Sequence, residues 1–195
     1  LLETQDCPFP PEYPDLEPYI ERMRKGQENI LTSAPVFMFA LTSGTTDKPK
    51  YIPVTRQGYG RTKQLMHQWL VRALRDHPSF LSQGFLGITG AAVEGHTECG
   101  LPYGSMSGMV YTGLPAIVKK SFAMPLEVSE IADYGTRYYA MARFAYEKSV
   151  SFIATPNPLT LIKLAETAIQ HQEEIIRAIH NGWLSDSVKT ADNCS

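Results

Sequence analysis

Cysteine is scarce. Cys7, Cys99 and Cys194 are the only three in 195 residues. They are odd in number, far apart and without Cys-x-x-Cys spacing, which argues against a disulfide framework or a structural zinc site. Thiols in a reducing compartment are the simplest reading, so the expected location is the cytoplasm. No apolar run reaches the roughly 20 residues that span a bilayer, and no membrane partner is expected. The opening Leu1-Leu2-Glu3-Thr4 has neither a basic start nor an apolar signal core. It also lacks an initiator Met, so we expect the chain to begin partway through a longer protein. An excess of one charge is missing too. Lys and Arg total 18 against 20 for Asp and Glu, a formal net charge of −2. Nothing there points to nucleic acid. The pair Lys119-Lys120 is of the kind usually found solvated.

Several catalytic signatures are absent as well. The common triphosphatase loop needs Gly-x-x-x-x-Gly-Lys-Ser/Thr, and no such run exists. Neither the Gly-x-Gly-x-x-Gly dinucleotide pattern nor the Gly-x-Ser-x-Gly nucleophile elbow occurs. His96-Thr97-Glu98 has the His-x-Glu spacing of zinc deaminases, but Cys99-Gly100-Leu101-Pro102 does not supply the Pro-Cys-x-x-Cys partner. An ordinary polar loop is the preferred reading there, and no metal ligands are assigned.

What is present reads as one soluble globular domain with a real core: 43% hydrophobic and 19% charged residues. Five prolines between residues 7 and 18 predict an extended entry segment, followed by a short charged helical turn to Lys25. Val36 to Leu41 is a continuous apolar run, as expected of a strand buried on both faces. Residues 57–76 predict an amphipathic helix carrying Leu65, Met66, Trp69, Leu70, Ala73 and Leu74 on one face. Gly84–Thr89 reads as a second buried strand and Val150–Ala154 as a third strand. Residues 90–115 read as irregular, with Tyr103, Ser105 and Ser107 in a glycine-rich stretch able to approach a substrate, and Ala116–Val118 as a short strand. Ser129–Glu147 predicts a helix with Ile131, Tyr134, Tyr138, Met141 and Ala145 on one face. Asn157-Pro158 should open another, and a last helix should stop at Asn181-Gly182. Strands alternating with helices give the expected fold: α/β, with a mostly parallel sheet flanked by helices.

The chemistry concentrates in Thr42-Ser43-Gly44-Thr45-Thr46-Asp47-Lys48-Pro49-Lys50. Gly44 permits tight geometry and the close approach of an anion. Successive backbone N–H groups in such a turn can form an anion-binding concavity. The hydroxyls of Thr42, Ser43, Thr45 and Thr46 rotate to meet phosphate oxygens. Lys50 supplies a compact positive charge, and Pro49 stiffens the exit. The same composition also suits a polar turn with no ligand.

Residues 42–50 resemble the signature of the adenylate-forming superfamily, Ser/Thr-Ser-Gly-Thr-Thr-Gly-x-Pro-Lys. Only Asp47 departs, standing where Gly is usual and adding a negative charge. Flanking segments narrow the resemblance to the auxin-responsive (Gretchen Hagen) acyl-acid amido synthetases. These are Pro18-Tyr19-Ile20-Glu21-Arg22 with Gly26 and Ile30-Leu31-Thr32, then Lys50-Tyr51-Ile52-Pro53-Val54-Thr55. Further on come Tyr138 to Ala145, Val150 to Ala154, Asn157-Pro158 and Ile179 to Ser185. The resemblance spans about residues 13–185.

The resemblance implies an enzyme that uses ATP and Mg2+ to adenylate a carboxylic acid and then joins it to an amino acid amine. Thr42, Ser43, Gly44, Thr45, Thr46 and Lys50 would hold the triphosphate, with Lys50 also the catalytic residue. The following helix would line the acid pocket through Met66 and Trp69. Trp69 falls near where some plant members place a substrate-facing Arg, and plain core packing also suits Leu70. An acyl-CoA-forming synthetase and a non-catalytic binding module are the alternatives. The expected organisation is a partial N-terminal domain over residues 1–185 and a frayed polar tail over 186–195. The superfamily's aromatic-Gly-x-Ser/Thr-Glu adenine segment, its ribose-binding Asp and its C-terminal domain are absent, so this piece alone is expected to be inactive.

Overall fold

The computed structural model describes residues 11–42, 48–81 and 83–182. In chain order the elements are α1 (Tyr13–Arg24), β1 (Val36–Thr42), β2 (Lys50–Thr55) and α2 (Arg56–Asp76), then a short 3-10 turn, Pro78–Leu81. Next come β3 (Gly84–Gly87), β4 (Gly95–His96), β5 (Pro102–Gly104), α3 (Met106–Thr112), α4 (Ala116–Lys119) and α5 (Glu127–Glu130). The last are α6 (Tyr134–Glu147), β6 (Val150–Ala154), α7 (Leu159–Gln170) and α8 (Gln172–Asn181). They divide into two compact units: Leu1–Gln68 with Ala91–Val110, and Trp69–Gly90 with Tyr111–Ser195.

The first unit holds a four-stranded sheet in the order β2-β1-β5-β4. β1 is the buried strand its apolar run predicts. Its side chains alternate faces, as strand geometry requires. Phe39 packs with Ile20 and Met23 of α1, while Met38 and Ala40 pack with Val54, Met106 and Met109. The helix α1 starts earlier than the prolines led us to expect. Pro14 lies in its first turn, where no donor is needed, and Pro18 removes only the bond to the Pro14 carbonyl. Asp15 secures the start by accepting from the Glu12 N–H at 3.0 Å.

The second unit pairs β3 with β6 in parallel. α5, α6, α7 and α8 build its core around Leu86, Ile88, Tyr138, Met141, Leu164 and Ile175. The expected helix over Ser129–Glu147 is two helices. Asp133 interrupts it and caps α6, accepting from the Thr136 N–H at 2.7 Å. That hydrogen bond holds the Asp133 carboxyl below its ordinary pKa. At α7 the Asn157 side-chain oxygen accepts from the Leu159 N–H at 3.0 Å, so the expected cap exists and the helix starts one residue later. α8 stops where the sequence indicates, with Gly182 left-handed at φ 69°.

The α/β class holds, and helices flank the sheet. Its pairing is mixed. β1–β5 and β3–β6 are parallel, whereas β1–β2 and β4–β5 are antiparallel. The antiparallel pairs join chain neighbours through short connections, which forces reversal. Three further expectations change. Ala116–Val118 lies in the helix α4, because Pro115 before it favours a helix start. The segment expected to be irregular contains β4, β5 and α3. Of the predicted α2 face only Leu70, Ala73 and Leu74 are partly buried, while Leu65, Met66 and Trp69 stand open.

Candidate functional site

The predicted loop sits between two paired strands. β1 ends at Thr42, β2 begins at Lys50, and these two residues are register partners across the ladder. Antiparallel pairing therefore brings the two flanks of the loop together. Ser43, Gly44, Thr45, Thr46 and Asp47 lie outside the described residues. Thr42 is exposed and Lys50 partly buried.

Lys50 is positioned by α1. Its Nζ lies 5.3 Å from the centroid of the Tyr13 ring, and the Tyr51 N–H donates to the Tyr13 hydroxyl at 2.9 Å. Tyr13 thus supports both the lysine and the strand that carries it. Sequence reasoning missed this residue, because the proline-rich run-in disguised the start of α1. Tyr51 is itself held between rings and a cation, with the Tyr103 ring 5.4 Å away and the Arg24 guanidinium 3.8 Å above it.

A second polar segment leaves the same sheet edge. β5 runs parallel to β1, with Ala40 opposite Gly104, so both strands point their carboxyl ends the same way. Ligands of open α/β sheets bind beyond such ends. Just past Gly104, the Ser105 N–H donates to the Ala91 carbonyl at 2.8 Å. The Ser105 and Ser107 hydroxyls are 2.7 Å apart, and Ser105 also accepts from the Gly108 N–H at 3.3 Å. A Cβ on Gly104 would sit 2.8 Å from the Ala92 carbonyl carbon, so only glycine fits that close backbone crossing.

The other sequence-selected residues are dispersed. Met66 is 46% exposed and Trp69 43%, and Trp69 leans on Phe152 with ring centroids 5.9 Å apart. His96-Thr97-Glu98 opens the β4–β5 hairpin. There the buried Thr97 hydroxyl donates to the Leu101 carbonyl at 3.1 Å, and His96 is exposed. Among the described residues no group of three His, Cys, Asp or Glu side chains is placed to hold a metal ion. Lys119 is engaged, its Nζ donating to the Thr112 carbonyl at 2.7 Å. Tyr138 and Tyr139 are core residues and Tyr134 is exposed. No described helix is long and apolar enough to cross a membrane.

By fold and site the chain is an α/β protein that presents a Ser/Thr-rich, lysine-flanked loop at the end of a buried strand. The GH3 family N-terminal domain matches residues 10–195, and the chain belongs to that family. Its structure is similar to that of "GH3.15 acyl acid amido synthetase", with a TM-score of 0.75 and 20% identity over 89% of this chain and 31% of that one. It is also similar to "AtGH3.15 acyl acid amido synthetase in complex with 2,4-DB", with a TM-score of 0.78 and 20% identity over 94% of this chain and 33% of that one. At that identity the likeness is one of fold. The chain spans about a third of the length of these solved structures. No curated protein sequence matches it.

Proposed function

We propose that this chain is the phosphate-gripping part of an ATP-dependent ligase that joins a carboxylic acid to an amino acid amine. The observation that carries this reading is the loop sequence 42–50 seated between paired strands, with Thr42 and Lys50 opposite each other. Membership of the GH3 family agrees with it, and both solved structures of like fold are of acyl acid amido synthetases.

In the first step a carboxylate oxygen attacks the α-phosphorus of ATP, and pyrophosphate leaves. In the second an amine attacks the acyl carbon, AMP leaves, and the amine proton is lost to solvent or a base. The protein's contribution to the first step is positioning and charge neutralisation. Thr42, Ser43, Gly44, Thr45 and Thr46 offer hydroxyl and backbone donors to the β- and γ-phosphates, and Lys50 adds a full charge. Magnesium bound to the triphosphate would share in neutralising its charge. Asp47 opposes that grip, since a carboxylate beside phosphate is repulsive.

Met66 and Trp69 are the proposed walls of the acid pocket, and their exposure favours that role over core packing. In this reading the adenine-binding segment and the C-terminal domain belong to the remainder of a full-length chain, and the setting is cytoplasmic.

The test is product analysis with the full-length protein, Mg-ATP, a panel of carboxylic acids, and either amino acids or coenzyme A. An amide with stoichiometric AMP supports the proposal. A coenzyme A thioester would move the protein to the acyl-CoA-forming alternative. No acid-dependent AMP with any acid would leave only a binding module.

A further inference from the structure

β3 is flanked on both sides at its amino end. On one side β6 pairs with it in parallel, with Val150 opposite Gly84. On the other, Phe122 forms a parallel bridge to Phe85. Two hydrogen bonds fix the flanks. The Gly84 N–H donates to the Ser149 carbonyl at 2.7 Å, and the Phe85 N–H to the Ser121 carbonyl at 2.8 Å. Parallel neighbours enter from the same end, so both flanks bring their preceding residues to one edge of the sheet. Those residues are the same pair in each flank, Lys120-Ser121 and Lys148-Ser149. With Gln83 and Gly84 between them they line one open cleft of about 460 Å³, within the range of small-ligand sites.

The charge of the cleft is one-sided. Among the described residues, none that lines it is acidic. Glu147, next to Lys148 in the chain, is taken by the buried Arg143 guanidinium at 2.5 Å. Lys119, next to Lys120, donates to the Thr112 carbonyl. Among the described residues no ion pair or hydrogen bond occupies the Lys120 and Lys148 ammoniums or the Ser121 and Ser149 hydroxyls. Each lysine also follows the last residue of a helix, α4 or α6, where a cation offsets the negative helix end. That accounts for one lysine at a time. It does not account for two Lys-Ser pairs lining one cleft, where like charges repel until an anion separates them. The flanks lie two strand spacings apart, about 10 Å, and a lysine's flexible four-carbon stem lets both ammoniums close on one ligand.

We propose that this cleft is an anion site that takes one phosphate group, free or carried on a small molecule. Lys120 and Lys148 supply two positive charges. These match the charge of about −1.5 to −2 on a phosphate monoester near pH 7 and exceed the single charge of a carboxylate. The Ser121 and Ser149 hydroxyls donate to its oxygens. The site lies at the amino ends of β3 and β6, whereas open α/β sheets hold their usual ligands beyond the carboxyl ends. It shares no residue with the 42–50 loop, which belongs to the first unit, and does not depend on the ligase reading.

The test is lysine acetylation of the full-length protein by an N-hydroxysuccinimide ester, read by peptide mass spectrometry. It is run with inorganic phosphate, glycerol phosphate or acetate at matched ionic strength. Saturating phosphate is expected to slow labelling of both Lys120 and Lys148 at least about fivefold, with Lys163 and the acetate arm unchanged. Lys120→Gln is expected to abolish protection at Lys148, and Lys148→Gln at Lys120, because one anion needs both. Both residues are exposed, so these variants keep the fold, which circular dichroism checks. Glycerol phosphate protecting at the lower concentration assigns the site to a phosphorylated small molecule, and inorganic phosphate doing so assigns it to the free ion. Either supports the proposal. Protection of one lysine alone, equal protection by acetate, or protection of Lys148 that survives Lys120→Gln would overturn it. So would lysines that the remainder of the full-length chain already shields from the reagent.

Discussion

Lys50 has two partners to serve: the Tyr13 ring beneath it and, in the proposed reaction, a triphosphate. A cation–π contact between two partly buried groups contributes about 0.5–2 kcal/mol, so Lys50→Ala should lower the melting temperature only modestly. Loss of a charge that acts in the transition state costs far more, about 10²–10³ in kcat. The expected result is therefore a large rate defect in a stable protein, measured by steady-state AMP release beside thermal unfolding. Equal losses in both would return Lys50 to a structural role. Tyr13→Phe should behave oppositely. It strands the part-buried Tyr51 N–H and costs about 0.5–1.5 kcal/mol, the net worth of an ordinary hydrogen bond. Asp133 gives a pH signature. Its carboxyl titrates below the ordinary range because it accepts from Thr136, so its contribution is full above about pH 4 and fades as pH falls through its folded pKa. Melting curves of Asp133→Asn against wild type should differ most at neutral pH and converge in acid.

At the scale of elements, the packing of each strand and helix decides which substitutions matter. Leu86 is fully buried in the core of the second unit, so Leu86→Ala should cost about 2–5 kcal/mol in denaturant unfolding. Trp69→Ala is the contrast on α2. Its half-open ring should cost under about 2 kcal/mol, while KM for the acid rises if it lines the pocket.

Legibility followed the same lines. β1 is legible because six residues of unbroken apolar character admit few alternatives, and the αL stop at Gly182 because its chemistry is local. The start of α1 is hard to read because proline is tolerated in a helix's first turn, where Pro14 lies, and Pro18 removes only one bond. Three apolar residues at 116–118 carry no period, so strand and helix were indistinguishable there. The apolar stripe of α2 was correctly periodic, yet periodicity does not say how much of a stripe meets a core. The loop was readable as a pattern. Its flank's support, Tyr13, comes from a long-range contact that no local pattern encodes.

For the whole molecule, fold and family are settled and point the same way, while the reaction is the proposal built on them. The sheet places Thr42 at, and the Ser105 segment just past, the carboxyl ends of neighbouring parallel strands, where α/β proteins bind ligands. The chain spans about a third of the length of the solved structures of like fold, so the proposed activity is tested on a full-length protein. The most direct measurement is exchange of labelled pyrophosphate into ATP by that protein, with Mg2+, across a panel of carboxylic acids. The account predicts exchange that depends on one class of acid, needs no amine, and falls at least about a hundredfold in Lys50→Ala. Folded protein that exchanges no label with any acid would contradict it.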